Sequence, residues 1–252
     1  MSLPSVPILL TSSVVVHDAG VALKDTDLRT QLALDSVREW LRVAPGARLV
    51  LCDGSGFDFT PAVREQFPQA AIECLAFQND IAGVQRQGRG FGEGEIVRHA
   101  VQHSSFIAQD QSFAKCTSKL WVENYAEYMR HWNGHMLFKA VFDDVFSFSR
   151  PTKLAYIDTR FYVVSVNAYR EHFLNAHARI SKDTGYGLEE SFRDVVREQH
   201  LSGVLSRCAP VIEGVGGGTG SAYRNPLKRR LKERLRVWLA QRDPAYAGLF
   251  SG

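Results

Sequence analysis

Three groups of residues have types and spacings that can do chemistry. Lys115, Thr117 and Lys119 recur every second residue in FAKCTSKLWV, a stretch of strand character, so their side chains share one face. Two ammonium groups beside a hydroxyl suit a phosphate. Glu189 and Glu190 follow two glycines at the start of a helix, in YGLEESF. A carboxylate there is well placed as a general base, although the helix dipole alone also favours it. Asp158 and Arg160, two apart, share one strand face at the edge of an aromatic cluster with Phe161, Tyr162 and Tyr169.

Other residues point to a bound ligand. ARLVLCDGSG is an apolar run closed by Asp53, Gly54 and Ser55, the pattern of a buried parallel strand whose carboxyl end faces the ligand crevice. Asp53 would accept bonds from a base or ribose there; an Asx turn that closes the strand is the alternative. Arg29 lies in the first turn of a helix, where it opposes the dipole, and an anion partner or a plain surface position would each account for it. Gly88, Gly90 and Gly92 read as a loop ahead of a helix that starts near Glu93. Glu93 and Glu95 would repel a polyanion, so this loop is expected to meet a sugar or ribose hydroxyl while Lys115 or Lys119 meets phosphate. A surface loop with solvated lysines fits the same residues.

These groups need a scaffold. Ile8–Val16 reads as the first core strand, the segment from Leu28 to Leu41 as a helix stopped by Pro45-Gly46, Pro61–Phe67 as a short helix and AIECLAF as a further buried strand. That alternation predicts a mostly parallel α/β sheet with helices on both faces. With 252 residues and 45% hydrophobic content the chain can bury a substantial core. Four cysteines without paired spacing argue against a disulfide framework or zinc site and for a reducing compartment, the cytoplasm.

Charge is unevenly placed. Of 30 Lys and Arg and 27 Asp and Glu residues, eight basic and one acidic fall between Arg224 and Arg242, so the rest of the chain carries −4. Leu227, Leu231, Leu235, Trp238 and Leu239 fall on one side of a helix there, with Lys228, Arg229, Arg230, Lys232, Arg234 and Arg236 around the remainder. A basic amphipathic helix with a tryptophan suits the anionic inner face of a cell membrane; a helix docked on the body is the alternative. No motif supports nucleic-acid binding. The chain thus divides into residues 1–222 and a tail, 223–252, and IEGVGGGTGSAY before the tail reads as a mobile lid or acceptor-side loop. Asp143-Asp144, His99/His103 and His131/His135 lack the further ligands a metal site needs.

In order, ILLTSSV, DLRTQLALDSV leading to LVLCDGSG, GRGFGEGEIVRHA, FAKCTSKLWVEN, DTRFYVVSVNAY and YGLEESF resemble a GT-A-type bacterial glycosyltransferase of the divergent sort found in O-antigen and capsule gene clusters. The resemblance implies a GT-A fold, a nucleotide-sugar donor, most simply a UDP-sugar, a lipid-linked saccharide acceptor, donor contacts from Thr11, Ser12, Arg29 and Asp53, and acceptor contacts from Asp158 and Arg160, with Asp158 a third candidate base. Metal-dependent members carry Asp-x-Asp where this chain has Lys115-Cys116-Thr117-Ser118-Lys119. A lysine would then neutralise the leaving diphosphate; the motif does not support a divalent cation, and no cofactor is assigned. The rival readings are a nucleotidyltransferase, which would normally show an arginine-containing glycine loop after the first strand, and a non-catalytic membrane-surface scaffold.

Overall fold

Continuous apolar runs become the central strands. The computed structural model describes residues 6–218 and 220–250. Ile8–Ser12 (β1) and Leu49–Asp53 (β2) are buried at every position, as strands covered on both faces must be. Between them Thr26–Val43 (α1) begins where the Leu28 amide donates to the Asp25 carboxylate at 2.8 Å. Its inner face buries Trp40, whose indole N–H donates to the Leu120 carbonyl at 3.0 Å and whose ring stacks on Phe161. Thr60–Gln66 (α2), with proline in its first turn, leads to Ile72–Ala76 (β3). The expected burial of β3 is not found: it is the edge strand, half-covered because β2 flanks one side only.

The expected glycine loop is not found either. Ile81–Gln87 (α3) and Arg89–His103 (α4) meet at Gly88, which has a φ of 92°, and Gly90, Gly92 and Gly94 lie inside α4. A Cβ on Gly94 would stand 2.2 Å from the Cβ of His177, and one on Gly92 2.8 Å from the Asn79 amide nitrogen. Close approach of neighbouring segments therefore outweighs the helix cost of about 1 kcal/mol per glycine.

Ser105–Asp110 (α5), Ser112–Thr117 (β4), Leu120–Val122 (β5), Tyr125–Met129 (α6), Met136–Asp143 (β6), Lys153–Ser165 (β7), Val166–Ala168 (α7), Leu188–Glu198 (α8), Ile212–Val215 (β8), Ala222–Tyr223 (β9) and Leu227–Arg242 (α9) follow. The main sheet has the order β3-β2-β1-β4-β7-β6. β3, β2, β1 and β4 are parallel, β7 is antiparallel to β4, and β6 is antiparallel to β7, so β7 alone among these six strands runs against the rest. The mostly parallel α/β sheet is as expected. One core lies between the sheet, α4 and α8, around Val97, Phe138, Tyr162 and Phe192; the other lies under α1, α2 and α6, around Val37, Trp40, Phe59 and Tyr128.

Two features of the sheet position the site. The chain winds from β1 out to β3 and then returns to the far side of β1 as β4, which opens a crevice between the carboxyl ends of β1 and β4. The β6–β7 register also slips: Phe138 faces Tyr162, yet Lys139 faces Asp158. This bulge leaves Thr159 and Arg160 without a β6 partner at the crevice.

β5, β8 and β9 form a small antiparallel sheet, so the flanks of the glycine-rich IEGVGGGTGSAY are strands. Helix α9 forms, but its apolar stripe faces outward: Leu227, Leu231, Leu235 and Trp238 are 72%, 55%, 48% and 45% exposed, while Val237 and Ala240 are buried. The chain then returns to the body, where the Tyr246 hydroxyl donates to the Thr152 carbonyl at 3.0 Å and Phe250 stacks on Phe142. Among the described residues no helix is long and apolar enough to cross a membrane. Residues 1–5 and 251–252, the outer ends of the two expected units, and Thr219 of the glycine-rich segment lie outside the described residues.

Candidate active site

The crevice holds a cavity of about 540 Å³. β1 contributes Thr11 and Ser12, α1 Arg29, α4 Gly92 and Glu93, β4 Thr117, β7 Asp158 and Arg160, and α8 Glu189 and Glu190. Lys119 follows β4 with a φ of 74°, which turns the chain into β5 and brings the side chain to the cavity. It is buried, and its ammonium donates to the Ser118 hydroxyl at 3.1 Å. Burial, with Arg29 close by, lowers its pKa to about 7.

Arg29 is also buried, and it braces two loops: it donates to the Ser13 carbonyl at 2.9 Å, to that of Leu23 at 2.8 Å and to that of Gly217 at 3.5 Å. Gly216, Gly217 and Gly218 pass over this wall. A Cβ on Gly217 would stand 2.9 Å from Lys119 Cε, and one on Gly218 2.5 Å from Arg89 Nη1. The segment expected to be a mobile lid is the β8–β9 turn, held where the Ala22 amide donates to the Gly218 carbonyl at 2.9 Å.

Lys115 does not line the cavity, contrary to expectation. It is buried behind it, donating to Glu93, to the Thr159 carbonyl at 2.7 Å and to the Thr117 hydroxyl at 3.1 Å. Its pKa falls to about 8 through burial. The Thr117 hydroxyl also donates to Glu93 Oε1 at 2.9 Å. Lys115 and Thr117 share a face, but Lys115 sits one step deeper in the sheet, so it supports Glu93 from below.

Asp158 is also corrected. Its buried carboxylate accepts from Arg160 Nε at 2.8 Å and Nη2 at 2.6 Å and pairs with Lys139 at 3.5 Å. Burial would raise its pKa, but the Arg160 hydrogen bonds and the two cations outweigh it and bring it to about 2. Such a carboxylate is a poor proton acceptor near neutral pH. Asp158 instead fixes Arg160, whose guanidinium lies 4.9 Å from the Tyr223 ring centroid. Glu189 and Glu190 both border the cavity, and Glu190 Oε2 accepts from the Gly187 amide at 2.9 Å.

Asp53, Gly54 and Ser55 lie outside the cavity lining. The Asp53 carboxylate accepts from the Ser55 amide at 2.7 Å, the Ser55 hydroxyl at 2.6 Å and the Val14 amide at 2.9 Å, which is the Asx-turn alternative. Gly54 and Gly92 flank Asn79, whose amide a Cβ on Gly54 would approach to 2.6 Å. Gly90 is likewise removed from the cavity, packing near Ile180 and Leu188.

Asn79, His17 and Arg89, none of which the sequence singles out, also border the cavity, as does Arg229. Ser12 Oγ, His17 Nε2 and Asn79 Oδ1 are buried without a hydrogen-bond partner. Orphaned polar atoms are rare in folded chains, and these three border one space, whereas Gln87 Oε1, His177 Nδ1 and Arg236 Nε, also without a partner, belong to residues outside its lining. Arg229, read from sequence as a membrane residue, stands at the cavity rim. Arg230 donates to the Asn225 carbonyl at 3.0 Å, Arg234 pairs with Glu127 at 3.5 Å, Lys232 lies 5.8 Å from the Phe146 ring and Arg242 3.8 Å from that of Trp238. Among the described residues no group of three or more His, Cys, Asp or Glu could hold a metal ion.

No protein-family model matches the chain, and no curated protein matches it in sequence. Solved structures that are similar include one described as a nucleotide-diphospho-sugar transferase from Desulfovibrio desulfuricans G20, at 13% identity over 81% of this chain and 79% of that one, with a TM-score of 0.46. Another is the galactosyltransferase LgtC with donor and acceptor sugar analogues, at 8% identity over 75% and 70%, with a TM-score of 0.47. A third is 4-diphosphocytidyl-2C-methyl-D-erythritol synthase, at 13% identity over 94% and 100%, with a TM-score of 0.42. All three scores lie below 0.5, so the residues of the cavity, and not these superpositions, carry the functional reading.

Proposed function

We propose that the protein is a glycosyltransferase that moves a sugar from a nucleotide-sugar donor, a UDP-sugar in the simplest case, to a hydroxyl of a saccharide acceptor. The observation that carries this is the switch-point cavity with a buried lysine, Lys119, close to Arg29, with Arg89, Arg229 and the carboxylates of Glu93, Glu189 and Glu190 also bordering it. In this reading the orphaned atoms of Ser12, His17 and Asn79 receive the nucleoside, Lys119 with Arg89 and Arg229 receives the diphosphate, and Glu93 accepts from sugar hydroxyls. Glu189 or Glu190 takes the acceptor proton as the acceptor oxygen bonds to the anomeric carbon. The bond from that carbon to the diphosphate breaks, and its electron pair leaves on the phosphate oxygen, stabilised by the cationic wall. Lys119 supplies positive charge without a divalent cation.

The finer assignment is to bacterial surface polysaccharide, with a lipid-linked acceptor met at the inner face of the membrane. The outward Leu227, Leu231, Leu235 and Trp238 stripe, the exposed Phe146 and Phe148, and Lys228, Lys232 and Arg234 support contact with an anionic bilayer.

The test is a calorimetric panel of UDP, GDP, CMP and dTDP, each in EDTA and in Mn²⁺. Binding of one nucleotide in EDTA, weakened about tenfold or more by Lys119→Ala, is expected. Binding by none of them under either condition defeats the donor reading and favours a non-catalytic surface protein. Release of pyrophosphate from a nucleoside triphosphate and a sugar phosphate marks a nucleotidyltransferase instead.

A further inference from the structure

A second, larger cavity of about 1240 Å³ lies between β7, the carboxyl-terminal half of α8 and the returning segment after α9. Two residues, Tyr156 and Glu190, border both this groove and the nucleotide cavity. Glu189, its neighbour in the same helical turn, borders only the latter. Arg193 forms part of the groove with its guanidinium held flat by Asp194 at 2.8 Å and by the Ala155 carbonyl at 2.7 Å. Arg197 and Ser202 are exposed on its wall, and Tyr246 lines it further along.

We infer that this groove is the acceptor subsite, that it holds the body of an oligosaccharide, and that Glu190 is the carboxylate that takes the proton from the acceptor hydroxyl at its inner end. The inference rests on the transferase reading and deepens it. Continuity decides the occupant: a chain lying in the groove brings one end to Tyr156 and Glu190, where the nucleotide cavity begins. The lining suits a polyhydroxylated chain, because tyrosine rings offer apolar faces for pyranose C–H groups while an immobilised guanidinium donates to hydroxyls at little entropic cost. Proton transfer to Glu190 leaves the acceptor oxygen bonded to the sugar carbon and the nucleoside diphosphate as leaving group, with no other reagent needed.

The experiment uses the full chain and an array of oligosaccharides, read alongside nucleotide calorimetry. Wild type is expected to bind at least one arrayed glycan. Ser202→Trp, which fills the groove from an exposed position, should weaken that binding about tenfold or more and leave nucleotide affinity unchanged. Lys119→Ala should do the reverse. Equal glycan binding by wild type and Ser202→Trp, or binding of no glycan by wild type, overturns the inference. Glycan binding by a protein that takes up no nucleotide would sustain the groove and defeat the donor reading.

Discussion

The Lys115 ammonium is buried directly against the Glu93 carboxylate, with Thr117 and the Thr159 carbonyl completing its shell. This pair lies between the sheet and the cavity, so the charge that reaches the cavity is Glu93, oriented from behind by a lysine that no ligand need touch.

Removing one partner of a buried ion pair strands the other. Lys115→Met is expected to lower the unfolding free energy by about 3–5 kcal/mol in denaturant titration, and Lys115→Met with Glu93→Gln to recover part of that loss. If the single variant is as stable as wild type, the pair does not hold the fold.

Lys119 gives a pH dependence with a definite sign. Its pKa is lowered from 10.5 to about 7. Between those values the unfolded chain holds a proton that the folded chain has released, so stability attributable to this group rises with pH across that window; below it the cost of burying the ammonium is present in full. A bound diphosphate favours the charged form, so nucleotide diphosphate affinity is expected to fall as pH rises from about 7 towards 9. At pH 8 binding should take up protons, seen as a calorimetric enthalpy that varies with the buffer. Lys119→Arg should flatten both effects.

The two glutamates at the start of α8 separate by function. Glu190→Gln is expected to lower the transfer rate about 10²–10⁴-fold with nucleotide affinity unchanged, and Glu189→Gln to have the smaller effect. Asp158→Asn should instead lower the melting temperature, because it leaves Arg160 and Lys139 without their shared counter-ion.

Gly94 is a packing position. A Cβ there would fall 2.2 Å from His177 Cβ and 2.5 Å from its Cγ, atoms close to the backbone that cannot swing aside. Gly94→Ala is expected to cost about 1–3 kcal/mol in thermal or denaturant unfolding.

The outward face of α9 predicts a stability-neutral change. Leu231→Glu with Leu235→Glu alters exposed positions only, so melting should be unchanged while sedimentation with anionic vesicles is lost. Charge reversal of Arg229 and Arg230 would be a poorer probe, since the first borders the cavity and the second is tied to Asn225.

Sequence periodicity exposed the frame and much less of the chemistry. β1, α1 and β2 follow from apolar runs and stop signals, because burial on both faces leaves few alternatives for such segments. Glycines 90 and 92 read as loop for a physical reason: local propensity argues against helix, while room for Leu188 and Asn79 decides in favour. Strand alternation placed Lys115 and Thr117 on one face correctly, but depth along the strand decides which of them reaches the cavity, and no period encodes depth. Asn79, Arg89 and Arg229 come from three separate segments, and their shared boundary exists only after folding.

β7 runs past both the groove and the cavity. Tyr156, Asp158 and Arg160 are alternate residues along it, and all three border the cavity that the acceptor groove joins at Tyr156. One strand therefore ties the inner end of the groove, at Tyr156, to the Asp158–Arg160 pair in the cavity through its backbone rather than through a loop.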